Sequence, residues 1–182
     1  MKKLCTILSL LLITSVISAQ NAQVLFYGYI EEGVFTDPNG DAPKKQKKQK
    51  APDKLKNVTV YVYKGEETVS TLNARETGFY AVLLDAGSKY RVTFEKEGYF
   101  CKSFELDCTN VVYPESDAAM KCLTDVSLFR KVENDDLLSL CKIPFARCAY
   151  AEGEMVWDIE YTQKAKEKFY ELAQPYYMAA DK

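Results

Sequence analysis

Five cysteines follow residue 100: Cys101, Cys108, Cys122, Cys141 and Cys148. In an oxidising compartment such residues pair, and an odd number leaves one thiol over or bound to another chain. None stands in a CxxC spacing, so neither a zinc ribbon nor a thioredoxin-type redox motif is indicated. A second chemical signal is the run Lys44, Lys45, Lys47, Lys48 and Lys50, a cluster of cations able to dock an anionic partner. Carboxylates at Asp135-Asp136, Glu152/Glu154 and Asp158/Glu160 have no spacing that fixes acid–base geometry or a calcium loop, and read as solvated charges. The 182 residues contain no histidine, which excludes Ser-His-Asp and Cys-His nucleophile systems and His-ligated zinc. No catalytic, cofactor-binding or metal-ligating set can be named. The expectation is a chain that is not an enzyme and needs no cofactor.

The compartment comes from the start of the chain. Lys2 and Lys3 precede an apolar run, Leu4 to Ile17, and Ser18-Ala19 supplies small residues before Gln20. This pattern is a secretory signal peptide over residues 1–19. The apolar run is shorter than the ~20 residues of a membrane span, and no later run is longer, so no transmembrane segment is expected in the mature chain. Cys5 lies too early to carry a lipid anchor. Export places the protein in the periplasm or at the outer membrane or cell surface. It also removes the nuclear reading of KKQKKQK, and with it most of the case for nucleic acid. Lysine without arginine or interleaved aromatics argues against base recognition as well.

The net charge of −2 becomes −4 once Lys2 and Lys3 leave. Residues 41–54 hold six lysines against Asp41 and Asp53. A basic spot therefore sits on an acidic body.

The elements that must position these groups read as strands. VLFYGYIE (24–31) carries a mid-strand glycine. Residues 37–56 form a long basic loop punctuated by Pro38, Gly40, Pro43 and Pro52. NVTVYVYK alternates Val58, Val60 and Val62 with Thr59, Tyr61 and Tyr63. TVSTL, FYAVLL, YRVTFEK, YFCKSFEL and CLTDVSLFR (122–130) follow at 8–12-residue intervals with turns between them, the rhythm of an antiparallel sandwich. Residues 132–142 read as polar and turn-like, and IPFARCAY as one more strand. Residues 158–173 read as a helix capped by Asp158 or Thr162 and stopped by Pro175. The division is a signal peptide at 1–19, a sandwich at 20–131 and an extension at 132–182.

Four segments together resemble a known family. They are Gly28-Tyr29-Ile30, Leu55 to Val62, Thr77-Gly78-Phe79-Tyr80-Ala81-Val82-Leu83, and Tyr90-Arg91-Val92 through Gly98-Tyr99. Their order resembles the carboxypeptidase regulatory-like domain, over roughly residues 24–107. The resemblance implies a mainly β, seven-stranded transthyretin-like or Ig-like antiparallel sandwich, here followed by a C-terminal strand and α-helix. It implies no catalytic residues, and a role as a spacer or docking module. Gly78 stands where a turn leads into a strand and a positive φ is expected.

Cys108 is in phase with Phe104 and Leu106, and Cys122 with Val126 and Leu128. If the two segments pair as antiparallel neighbours, Cys108 bridges Cys122, and Cys141–Cys148 closes a second loop around Pro144. Cys101 is then the odd thiol. The alternative is that some of these stay as buried free thiols. The function expected is a non-enzymatic structural or adaptor protein of the bacterial envelope that contacts an envelope protein partner. Membership of a secretion or gliding-type complex is a sub-hypothesis of that reading. The competing expectation is a module that binds carbohydrate or an anionic polymer, with Tyr29, Tyr61 and Tyr63 as contacts.

Overall fold

Strict alternation of buried and exposed side chains runs through most strands, because each sheet buries one face. The computed structural model describes residues 22–33, 52–112, 119–140 and 142–180. Its strands are β1 (Gln23–Glu32), β2 (Thr59–Lys64), β3 (Glu67–Asn73), β4 (Phe79–Asp85), β5 (Lys89–Glu95), β6 (Lys102–Asp107), β7 (Met120–Leu123), β8 (Val126–Leu128), β9 (Ala146–Ala151) and β10 (Glu154–Trp157). Its helices are α1 (Asp135–Leu140) and α2 (Ile159–Ala180).

Two sheets result. One runs β4-β1-β7, with β8 also on β1, and the other runs β10-β9-β6-β5-β2-β3. Their inward side chains meet in a single core. Val24, Phe26 and Leu84 come from one sheet, and Val60, Val92 and Leu106 from the other. Phe26 touches Phe94 and Phe104 across the gap, with ring centroids 6.5 and 6.0 Å apart.

The fold is thus mainly β with a C-terminal helix, but it departs from a seven-stranded antiparallel plan. Ten strands lie among the described residues. Three pairings are parallel: β7 and β8 on β1, and β9 on β6. The segment 122–130 is not one strand, because it breaks at Thr124-Asp125. There the Asp125 carboxylate replaces a backbone acceptor and takes the Tyr29 N–H at 2.8 Å, while the Thr124 N–H donates to the Tyr27 carbonyl at 2.8 Å.

The stretch expected to be turn-like contains α1. Asn134 caps it, its side-chain oxygen accepting from the Asp136 and Leu137 N–H groups. Asp158 caps α2 through the Tyr161 N–H at 2.9 Å. Pro175 does not stop that helix, which continues to Ala180. Proline removes one donor and one turn of hydrogen bonding. Contacts on both sides of it hold the helix down. Ala173 is fully buried, and the Tyr177 hydroxyl donates to the Arg130 carbonyl.

Gly78 has φ +75°. Its turn hydrogen-bonds β1, the Ile30 N–H donating to the Gly78 carbonyl at 2.9 Å. No helix among the described residues is long and apolar enough to cross a membrane.

Candidate functional site

A second cluster of buried side chains lies at one end of the sheets, where α1 and α2 pack over Phe100 and Phe129. Leu137 comes from α1, and Phe169 and Ala173 from α2. The packing leaves a cleft of about 280 Å³. Phe129, Phe145, Phe169, Leu137 and Ile143 are among the apolar residues of its wall.

Lys102 opens β6 and reaches into this cleft. Its Nζ sits 3.9 Å from the Phe145 ring centre and 5.5 Å from that of Phe129. The aromatic faces offset part of the cost of burying an ammonium. Burial still pushes the Lys102 amine down to about 7, and the nearby charge of Lys166 adds to the effect. Lys164 and Lys168 stand at the rim, and each has a carboxylate of its own: Glu160 at 2.6 Å and Glu171 at 3.5 Å. Among the described residues no Asp or Glu lines the cleft.

Lys102 was absent from the sequence expectations, although its signal was present. It shares the phase of Phe104 and Leu106, and a lysine on the apolar phase of a strand is an anomaly.

The cysteines gather elsewhere. Cys108, Cys122 and Cys148 are buried free thiols in the main core. The expected Cys108–Cys122 bridge is not formed, because its premise fails: β6 pairs with β5 and β9, while β7 pairs with β1 in the other sheet. The expected Cys141–Cys148 bridge is not formed either, since Cys148 is free. Cys141 itself lies outside the described residues. Cys101, expected as the odd thiol, is disulfide-bonded.

Cys148 stands beside Leu106 in the β6–β9 register, and Cys122 beside Phe26 in the β1–β7 register. The two thiols share a hydrogen bond from sheet to sheet. That bond holds the Cys122 thiol below its ordinary range and the Cys148 thiol well above it. Burial, and next the charge of Asp107, push Cys108 up to about 12.

The other sequence candidates do not converge on either place. Lys44, Lys45, Lys47, Lys48 and Lys50 lie outside the described residues, as does the expected signal peptide. Tyr61 and Tyr63 lie together on the outer face of β2, ring centres 6.3 Å apart, with the Arg91 guanidinium 4.7 Å over Tyr63. Tyr29 packs against Phe79 at 5.5 Å and is not part of that patch.

No family model and no curated protein matches the chain. Among solved structures it is similar to the Bacillus anthracis TIE protein, at 16% identity and TM-score 0.40, over 60% of this chain and 18% of that one. It is also similar to the shaft pilin SpaA of Lactobacillus rhamnosus GG, at 14% identity and TM-score 0.34, over 62% and 52% of the two chains. A third is 3-chlorocatechol 1,2-dioxygenase from Rhodococcus opacus 1CP, at 11% identity and TM-score 0.36, over 61% of each chain. Likenesses of this strength assign neither an activity nor a partner. They do correct one expectation. The chain was expected not to be an enzyme, yet the neighbours include enzymes, this dioxygenase and chlorocatechol 1,2-dioxygenase from Pseudomonas putida.

Proposed function

We propose that the chain is an exported structural or adaptor protein of the bacterial envelope, built on a carboxypeptidase regulatory-like β-sandwich, and that it works by docking a protein partner. The observation that carries this reading is the edge strand β3. Among the described residues it ends the six-stranded sheet and pairs with β2 alone, and all its residues except Leu72 are exposed. Such an edge presents free backbone donors and acceptors that can take up a strand from another chain. The register shift between Val62 and Tyr63 falls near the hairpin turn, leaving Ser70 to Asn73 as the regular part of the edge.

Neighbouring residues on a strand point their N–H groups to opposite sides. Proline at Ser70 and, separately, at Thr71 therefore tests the edge. One of the two removes an outward donor and spares the β2 ladder. That variant is expected to fold with an unchanged urea midpoint and to lose the larger complex that the parent forms in solubilised envelopes. A folded outward-proline variant that keeps the complex would sink this reading. The alternative, a carbohydrate or anionic-polymer module, draws on the Tyr61–Tyr63–Arg91 patch. It predicts glycan retention that survives both prolines and is lost in Tyr61→Ala.

A further inference from the structure

We propose that the cleft under α2 binds a small amphiphile carrying a single carboxylate, with Lys102 holding the acid group and Phe129, Phe145 and Phe169 holding the apolar body. The site lies apart from the β3 edge, so it stands or falls independently of partner docking.

Charge selects the sign of the ligand. The protein as a whole is acidic, yet among the described residues the cleft is lined by three lysines and no carboxylate. Lys164 and Lys168 are already matched by Glu160 and Glu171. Among the described residues no carboxylate is ion-paired with Lys102: the charge acting on it is that of another lysine, Lys166, while Asp125, which lines the adjoining cleft with it, accepts the Tyr29 N–H. A half-buried cation with no ion-paired anion is costly, and a ligand that brings one recovers part of that cost.

The remaining polar groups select a monoanion. The Tyr161 hydroxyl donates to the Pro144 carbonyl at 2.7 Å, Ser103 Oγ to the Ile143 carbonyl at 3.3 Å, and Ser127 Oγ to Glu31 at 3.4 Å. These hydroxyl donors are committed within the protein, and Lys164 and Lys168 each share their charge with a glutamate, which leaves Lys102 as the one lysine of the described lining without an ion-pair partner. A phosphate head group would bring more charge and more acceptors than this wall satisfies. The volume of about 280 Å³ lies at the small end of the roughly 300–1,000 Å³ usual for ligand sites. A short or medium alkyl or aryl acid fits it.

The test is calorimetric titration of the purified protein with hexanoate, octanoate, octanol and octylammonium. Octanoate is expected to bind, octanol more weakly, and octylammonium not at all. Octanoate should exceed hexanoate by about fourfold per added methylene. Lys102→Met should weaken octanoate by about tenfold or more and leave octanol unchanged. The ligand series on the parent protein decides the matter even if that variant fails to fold.

Affinity for octanoate should be level between about pH 6 and pH 7, where the ligand is still a carboxylate, and fall by up to about tenfold per pH unit above pH 7, as the free amine must regain its proton. Lys164, Lys166 and Lys168 and the Tyr161 phenol from α2, and Asp125 from the break between β7 and β8, are the other titratable groups near Lys102. β6, β8 and α1 add no other charge to the lining. Octylammonium binding equal to octanoate, no octanoate binding at millimolar concentration, or full octanoate affinity in folded Lys102→Met each overturns the proposal.

Discussion

The Cys148 thiol on β9 and the Cys122 thiol on β7 lie within hydrogen-bonding reach of each other, from one sheet to the other through the main core. Hydrogen bonding favours the thiolate of Cys122, the attacking form in disulfide exchange. Refolding with oxidised glutathione should therefore close Cys122 onto Cys148 and leave Cys108 reduced. Each thiol gives up one proton, and two electrons pass to the glutathione disulfide, which leaves as two thiols. A bridge over a loop of about 26 residues adds about 3.5 kcal/mol on the chain-entropy account. Peptide mapping and urea midpoints measure both outcomes. A major product containing Cys108 would count against this pairing.

The fold was most legible where one face of a strand is buried and the pairing is local. Val58, Val60 and Val62, or Tyr80, Val82 and Leu84, announce their strands because every second side chain enters the core. What sequence reasoning missed depends on distant partners. Nothing local in TDVSL says that β7 and β8 lie parallel to β1, whose residues are about 96 positions earlier. The Cys108–Cys122 expectation failed with that pairing. The end of α2 was misjudged because Pro175 is a local stop signal, whereas the contacts of Ala173 and Tyr177 that override it are tertiary. The cleft is assembled from β6, α1, α2 and the segment at Phe145, so only its lysine, in phase with Phe104, left a trace in the sequence.

Gly28 marks the point where β1 passes the break between β7 and β8. A Cβ there would lie 2.0 Å from the Thr124 carbonyl oxygen and 2.6 Å from its carbon. That peptide cannot retreat without breaking three bonds: Thr124 N–H to Tyr27, Tyr29 N–H to Asp125 and Tyr80 hydroxyl to Thr124. Gly28→Ala should cost about 3 kcal/mol or more in urea unfolding. Gly87→Ala is the comparison, since Gly87 has φ +84° and open space around its Cβ position. It should cost about 1–2 kcal/mol from backbone conformation alone. An equal or smaller loss at Gly28 would show that the crossing is looser than described.

The Tyr80 side chain is 1% exposed, with its ring 5.5 Å from Phe26 and 4.8 Å from Phe94. Its hydroxyl donates to the Thr124 carbonyl at 2.7 Å. Tyr80→Phe keeps the ring packing and leaves that carbonyl without this donor, so it should cost about 1–2 kcal/mol at pH 7. The phenol also carries a pH signature. Burial first, then the charges of Cys122 and Asp125, hold it far above its ordinary value of 10.0. A group whose pKa is raised on folding contributes fully below its unfolded value and loses that contribution above it. Above pH 10 the unfolded chain ionises this tyrosine while the native protein cannot. The parent's advantage over Tyr80→Phe should then shrink by about 1.4 kcal/mol per pH unit. Tyr177, pushed up to about 12 by burial, behaves alike in both proteins and cancels from the difference, as does Lys102. Urea unfolding of the pair at pH 7 and pH 11 reads the change directly. An advantage of the same size at both pH values would mean that the native protein ionises Tyr80 as readily as the unfolded chain does.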